Sequence, residues 1–114
     1  SHRSPYVTSK WGVIGLMKSL AIELGPYNVK VNAICPGSVE GERLERVIEA
    51  EVKSKGMTRD KIYQAYTEGT SMKKLIHPKD IADMAFFLSS SKSRLVSGQV
   101  IAVDGNTEVP DPKF

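Results

Sequence analysis

The chain has a single cysteine, Cys35, in 114 residues, so it can form no internal disulfide. A lone thiol fits a reducing compartment, and a cytoplasmic location is expected. Two histidines, His2 and His77, together with Cys35 show no metal-ligand spacing, so no metal centre is expected. No run of about 18 apolar residues occurs, so no membrane span is expected. No signal peptide is visible. No basic block stands alone. The formal charge of +3 is spread among acids, as in Glu42-Arg43-Leu44-Glu45-Arg46 and Lys79-Asp80. That mixture disfavours nucleic acid as a partner. Internal repeats and low-complexity tracts are absent as well.

What remains is the composition of a globular protein, with 40% hydrophobic and 25% charged residues, in a chain with room for one small domain. Apolar side chains at Trp11, Ile14, Leu16, Met17, Leu20, Ala21 and Leu24 are spaced as on a helix over 7–24. Pro5 suits the first turn, and Gly25-Pro26 supplies the stop. Gly12 and Gly15 weaken that helix, so another backbone is expected to pack closely there. Residues 28–35, NVKVNAIC, alternate as a β-strand, with Val29, Val31, Ala33 and Cys35 on one face, and Pro36-Gly37 ends it. Cys35 reads as a small buried hydrophobe on that strand. A helix running directly into a strand is half of a βαβ unit and predicts parallel pairing.

Residues 40–76 read as a long polar excursion with no obvious place in a core. Leu44, Val47, Ile48 and Val52 make a narrow helical stripe that Gly56 breaks. Thr58 can cap a second short helix carrying Ile62, Ala65 and Tyr66. Pro78 opens another helix, with Ile81, Met84, Ala85 and Leu88 on one face and Asp80 in its first turn. His77 reads as the residue leading into that helix. The stretch VSGQVIAVDG, 96–105, reads as a turn and a strand from Val100 to Val103. Residues 107–114 form a tail that is loose or docked on a partner. Two parallel strands cannot bury both faces or close their edges, so the inventory predicts part of a larger α/β domain.

The chemistry sits near the front. Tyr6 and Lys10 are four residues apart and so share a helix face. A phenol, with a pKa near 10, is a weak base at neutral pH, but a nearby ammonium favours the phenolate. Such a pair can move a proton on or off an alcohol or carbonyl oxygen. Alone the spacing says little: it occurs by chance in roughly one chain in five of this length.

It does not stand alone. YVTSK opens the helix KWGVIGLMKSLAIEL, which runs into NVKVNAICPG, and the chain closes with SGQVIAVDG. Together, over roughly 4–106, these resemble the C-terminal half of a classical short-chain dehydrogenase/reductase. The resemblance implies the C-terminal half of a Rossmann-type doubly wound parallel sheet, residues 1–106, with 40–76 as a flap over substrate. It implies NAD or NADP, undistinguished, as cofactor and an alcohol or ketone as substrate. Tyr6 would be the catalytic acid/base. Lys10 would hydrogen-bond the nicotinamide ribose and ease deprotonation of Tyr6. Pro36 and Gly37 would pass close to the nicotinamide at the carboxyl end of a parallel strand, and the Val39 backbone would meet the carboxamide. Ser9 would pack on the helix and is no nucleophile. A homo-oligomer, tetramer or dimer, is implied, with the first helix and last strand as contact surfaces. Trp11 and Phe86-Phe87 would lie in the core or between subunits.

Two departures stand out. The family's threonine two residues after Val39 is Gly41 here, and its closing Asp-Gly-Gly is Asp104-Gly105-Asn106. Asparagine tolerates a left-handed conformation, so that turn is expected to survive. The glycine-rich phosphate loop, an early asparagine and the catalytic serine would all precede Tyr6. The chain opens on Ser1, so an upstream half is expected, and these residues alone are expected neither to bind dinucleotide well nor to catalyse. The alternative is a non-catalytic relative that serves as a binding or assembly module.

Overall fold

The computed structural model describes residues 3–107. They form helices α1 (Ser4–Leu24), α2 (Glu42–Lys55), α3 (Arg59–Glu68) and α4 (Pro78–Ser89), and strands β1 (Ala33–Pro36) and β2 (Val100–Val103). Short 3-10 turns follow α1 at Gly25–Tyr27 and α4 at Ser91–Ser93. The strands are neighbours and run parallel. Ala33 N–H donates to the Gln99 carbonyl at 2.9 Å, and Gly37 N–H to that of Val103 at 3.0 Å. Parallel neighbours need a long crossover, which α2 to α4 supply. The described residues divide into two compact units, one holding the stretch up to 34 with 85–101, the other 35–84 with the stretch from 102.

In the first unit, Pro5 occupies the opening turn of α1, where its missing N–H costs nothing. Met17 is the buried residue of this helix, with Ile14, Leu20, Ala21 and Leu24 half-buried. Trp11, Val13, Leu16 and Ile22 are exposed, so α1 is apolar on more sides than its unit covers. Gly12 and Gly15 were expected to meet another backbone. A Cβ at either would touch nothing within 4 Å among the described residues. Closer packing occurs further along, where a Cβ on Gly98, at φ +72°, would lie 3.5 Å from the Ala21 methyl. Phe86 and Phe87 are also exposed and belong to no core in this unit.

The strand expected over 28–35 is shorter and begins at Ala33. Asn28 takes a left-handed φ of 61° as it closes the 3-10 turn, which ends any extended run there. Residues 29–32 then pair with 96–99 largely through side chains. Ser97 Oγ accepts from Val31 N–H at 3.1 Å, and the Asn32 amide donates to the Val96 carbonyl at 2.9 Å. Asn32 Oδ1 in turn accepts from Gln99 N–H at 3.1 Å. Lys30 has a specific task. Its ammonium lies 2.9–3.2 Å from the carbonyls of Leu88, Ser90 and Ser93 and from Ser93 Oγ. Carbonyls at a helix end have no partner within the helix, so this cation satisfies the close of α4. Cys35 is half-buried.

The second unit overturns one expectation. The polar stretch 40–76 builds a core of its own. Ile48 on α2 is 0% exposed and Ile62 on α3 3%, and Ile76 is buried beyond them. Gly56 closes α2 in a left-handed conformation, and Thr58 Oγ1 caps α3 by accepting from Lys61 N–H, as the sequence predicts. An ion pair joins Arg59 to Glu45 across this hairpin. Tyr66 donates to Glu51 at 3.1 Å, and Tyr63 to Glu40 at 3.4 Å. His77 leads into α4 as expected: its N–H donates to Asp80 Oδ2 at 2.9 Å, and its carbonyl accepts from Asp80 N–H at 2.8 Å. The closing turn survives, with Gly105 at φ 67° and Asn106 at φ 60°. Their carbonyls accept from the N–H groups of Met72 and Ser71. The tail expected over 107–114 lies outside the described residues beyond Thr107, as does His2.

Burial, and then the Glu51 carboxylate that accepts its hydroxyl, raise the pKa of Tyr66 above the usual 10.0. The folded chain therefore holds this proton more tightly than the unfolded one. The stabilisation is complete below about pH 10 and is lost as pH rises through the folded value. Tyr66→Phe should lower stability at pH 7 by about 0.5–1.5 kcal/mol. It should also flatten the alkaline fall of the melting temperature, and curves of equal slope above pH 10 would contradict this.

Candidate active site

The start of α1 brings Tyr6 and Lys10 together as the four-residue spacing requires. The Lys10 ammonium lies 5.5 Å from the centre of the Tyr6 ring. A second cation approaches the same ring: the Arg3 guanidinium carbon is 5.2 Å from its centre. Each such contact at an exposed site contributes about 0.5–1 kcal/mol. Sequence reasoning missed Arg3. Its signal was available, since a residue three positions before Tyr6 lies over the same side of the first turn. Tyr6 is 53% exposed. Ser9 is exposed and makes no hydrogen bond among the described residues.

Pro36, Gly37 and Val39 belong to the second unit, where Pro36 is the last residue of β1 and Gly37 and Val39 follow it. The reason for Gly37 is visible there. A Cβ on it would sit 2.8 Å from both Cα and Cβ of Asp104. That spot is filled by the end of β2, so the glycine is needed for packing before any ligand is considered. Val39 forms an isolated parallel bridge with Ile76. The bonds of that bridge are Glu40 N–H to the Ile76 carbonyl and Ile76 N–H to the Ser38 carbonyl. The N–H and C=O of Val39 itself engage no partner among the described residues. Gly41 takes φ +150° and ψ −179°, a backbone state that only glycine adopts readily.

A family model described as Enoyl-(Acyl carrier protein) reductase matches residues 1–106. The chain belongs to the short-chain dehydrogenase/reductase family. Among characterised relatives, the 7alpha-hydroxysteroid dehydrogenase of Escherichia coli is 34% identical over 100 residues, which is 88% of this chain and 35% of the relative. A short-chain dehydrogenase family protein of Francisella tularensis superposes with a TM-score of 0.82 at 30% identity, over 88% of this chain and 41% of that one. The L-sorbose reductase of Gluconobacter frateurii, solved with NADPH and L-sorbose, gives 0.81 at 25% identity, over 90% and 39%. A 4-hydroxyisoleucine dehydrogenase solved with NADH gives 0.66 at 28%, over 93% and 39%. The chain spans about two fifths of the length of the first curated relatives it matches.

As a member of this family the chain holds two parallel strands of a Rossmann-type sheet, an incomplete α/β fold. Its departure at position 41 now has a physical form. The loop after β1 follows a path suited to glycine, and a threonine there would strain it. Gly37→Ala and Gly41→Thr should each cost about 1–3 kcal/mol of stability in urea denaturation, the first by collision with the Asp104 backbone, the second by backbone strain. A value below about 0.5 kcal/mol for Gly37→Ala would mean that Asp104 moves away freely.

Proposed function

We propose that this chain is part of an NAD- or NADP-dependent oxidoreductase that interconverts a small alcohol and its ketone. The observation that carries the reading is the exposed Tyr6 on α1, with the Lys10 ammonium 5.5 Å from its ring, inside a family match over 1–106. The nicotinamide, when bound, supplies or takes the hydride. Tyr6 gives a proton to the substrate oxygen in reduction and removes it in oxidation. Lys10 favours the phenolate and holds the ribose. Pro36 and Gly37 bound the nicotinamide, and the unengaged backbone of Val39 meets its carboxamide. Residues 40–76, with α2 and α3, form the flap over substrate. The relatives solved with NADPH and with NADH support either cofactor. By themselves these residues supply no glycine-rich phosphate loop, so turnover belongs to the full-length protein, in the cytoplasm.

A second reading rests on the uncovered surface of the first unit. Trp11 is 68% exposed, Ile22 79% and Phe86 79%. Apolar area of this kind on one unit marks an assembly surface, and a homo-oligomer is proposed. No helix among the described residues is long and apolar enough to cross a membrane.

In the full-length enzyme, Tyr6→Phe should lower turnover by about 100-fold or more while dinucleotide binding persists. Full turnover in that variant would remove Tyr6 from the mechanism. Trp11→Arg should shift the mass measured by light scattering towards the monomer, and an unchanged mass would remove Trp11 from the subunit contact.

A further inference from the structure

We infer that the close of α4 is a monovalent-cation site, with the ammonium of Lys30 as its resident cation. Four oxygens surround that ammonium: the carbonyls of Leu88 at 2.9 Å, Ser90 at 3.2 Å and Ser93 at 3.1 Å, and Ser93 Oγ at 2.9 Å. A lysine ammonium has three protons to give. Four acceptors around three donors is the coordination of an ion by a cage of oxygens, not a set of one-to-one hydrogen bonds. The cage is built into the fold. Ser93 is 1% exposed. Its hydroxyl proton goes to the carbonyl of Phe87, Leu88 or Ser90, all 2.9–3.1 Å away, which leaves the oxygen's lone pairs for Lys30. Ser93 N–H donates to the Ser90 carbonyl at 3.3 Å, and Val96 N–H to the Ser93 carbonyl at 2.9 Å, so backbone bonds fix the turn that carries these oxygens.

No carboxylate takes part. Lys30 makes no ion pair among the described residues, and the stretches 3–34 and 85–101 contain one acid, Glu23. These features select the ion. Neutral oxygens at such distances suit neither Ca²⁺ nor Mg²⁺, which sit about 2.3–2.6 Å and about 2.0–2.1 Å from oxygens that include carboxylates. Clustered backbone carbonyls instead replace the water around a dehydrated potassium ion. The class of ligand is therefore a cation of potassium or ammonium size. The Lys30 side chain also lines a cavity of about 320 Å³ together with Asn32, Ile34, Ala85, Leu88 and Ser89. Shortening that side chain joins the cavity to the four oxygens and gives a free ion its way in. A lysine that caps the helix end by hydrogen bonds alone is the plain alternative. It predicts the same loss on truncation but no rescue by a free ion.

The test is thermal unfolding of the full-length protein and its variants in potassium, ammonium, sodium and choline chlorides of equal concentration. In choline chloride, Lys30→Ala should melt about 5–10 °C below the unsubstituted protein, because buried acceptors lose their charged donor. Potassium or ammonium at about 0.5 M should restore about half of that loss or more, and sodium or choline little of it. Lys30→Met, whose side chain still fills the way in, should lose stability without recovery. Ser93→Ala added to Lys30→Ala should abolish the recovery. Recovery as large in sodium or choline as in potassium, no recovery in potassium or ammonium, or a Lys30→Ala protein as stable as the unsubstituted one would each overturn the site. If neither lysine variant folds, the unsubstituted protein decides. Acetic anhydride should then modify Lys30 at least about tenfold more slowly than the exposed Lys92, read by peptide mass spectrometry, because the caged ammonium must first leave its oxygens. Equal rates would overturn the site.

Discussion

At the end of β1 the backbone passes so close to Asp104 that position 37 has no room for a side chain. Much of the second unit depends on this approach. It brings the carboxyl ends of the two strands together, which is where open α/β sheets place ligands. Asp104 in turn accepts from Asn106 N–H at 2.9 Å and so shapes the turn that carries Gly105 and Asn106 in left-handed conformations. The carbonyls of that turn hold Ser71 and Met72. From Gly37 the chain continues to Val39, pinned by Ile76, and then to Gly41 at the head of α2. One close approach thus fixes the strand ends, the closing turn and the path into the helical hairpin.

The helices were legible because their signals are local. Pro5, Gly56, Thr58 and Asp80 act within one turn of themselves, and each is found where its chemistry suits it. Tyr6 with Lys10 was legible for the same reason. The strand over 28–35 was misread because alternation in the sequence records faces, not partners. Asn28 spends its conformational tolerance on a left-handed turn, and Asn32 pairs by its side chain where a ladder would use backbone. Lys30 looked like one outward position of that alternation. Its acceptors are about 60 residues away, and no local pattern announces them.

Residues 40–76 show a different limit. Their polarity suggested an excursion without a core, yet two isoleucines, one per helix, suffice to bury a seam between α2 and α3. An average over a charged stretch hides such a seam, because a short helix hairpin needs few apolar residues facing each other. Net charge has the same weakness. A total of +3 looks featureless until the units separate it, and the first then holds nearly all its charge with one sign.

The two units hold their candidate residues in different ways. The loop from Pro36 to Gly41 is held by backbone bonds, by close packing and by a hairpin with its own interior, all within one unit. The helix that carries Tyr6 and Lys10 has no such self-sufficiency. It is apolar on several sides, buries Met17, and leaves Trp11, Leu16 and Ile22 in water. A helix of that composition gains its stability from what packs on it, not from propensity, and Gly12 and Gly15 lower the propensity further. The spacing of Tyr6 and Lys10 is written into α1, but the burial that orders α1 is not local to that spacing. The proximity of the two side chains is local in the sequence, and the packing that would hold them rigid is not.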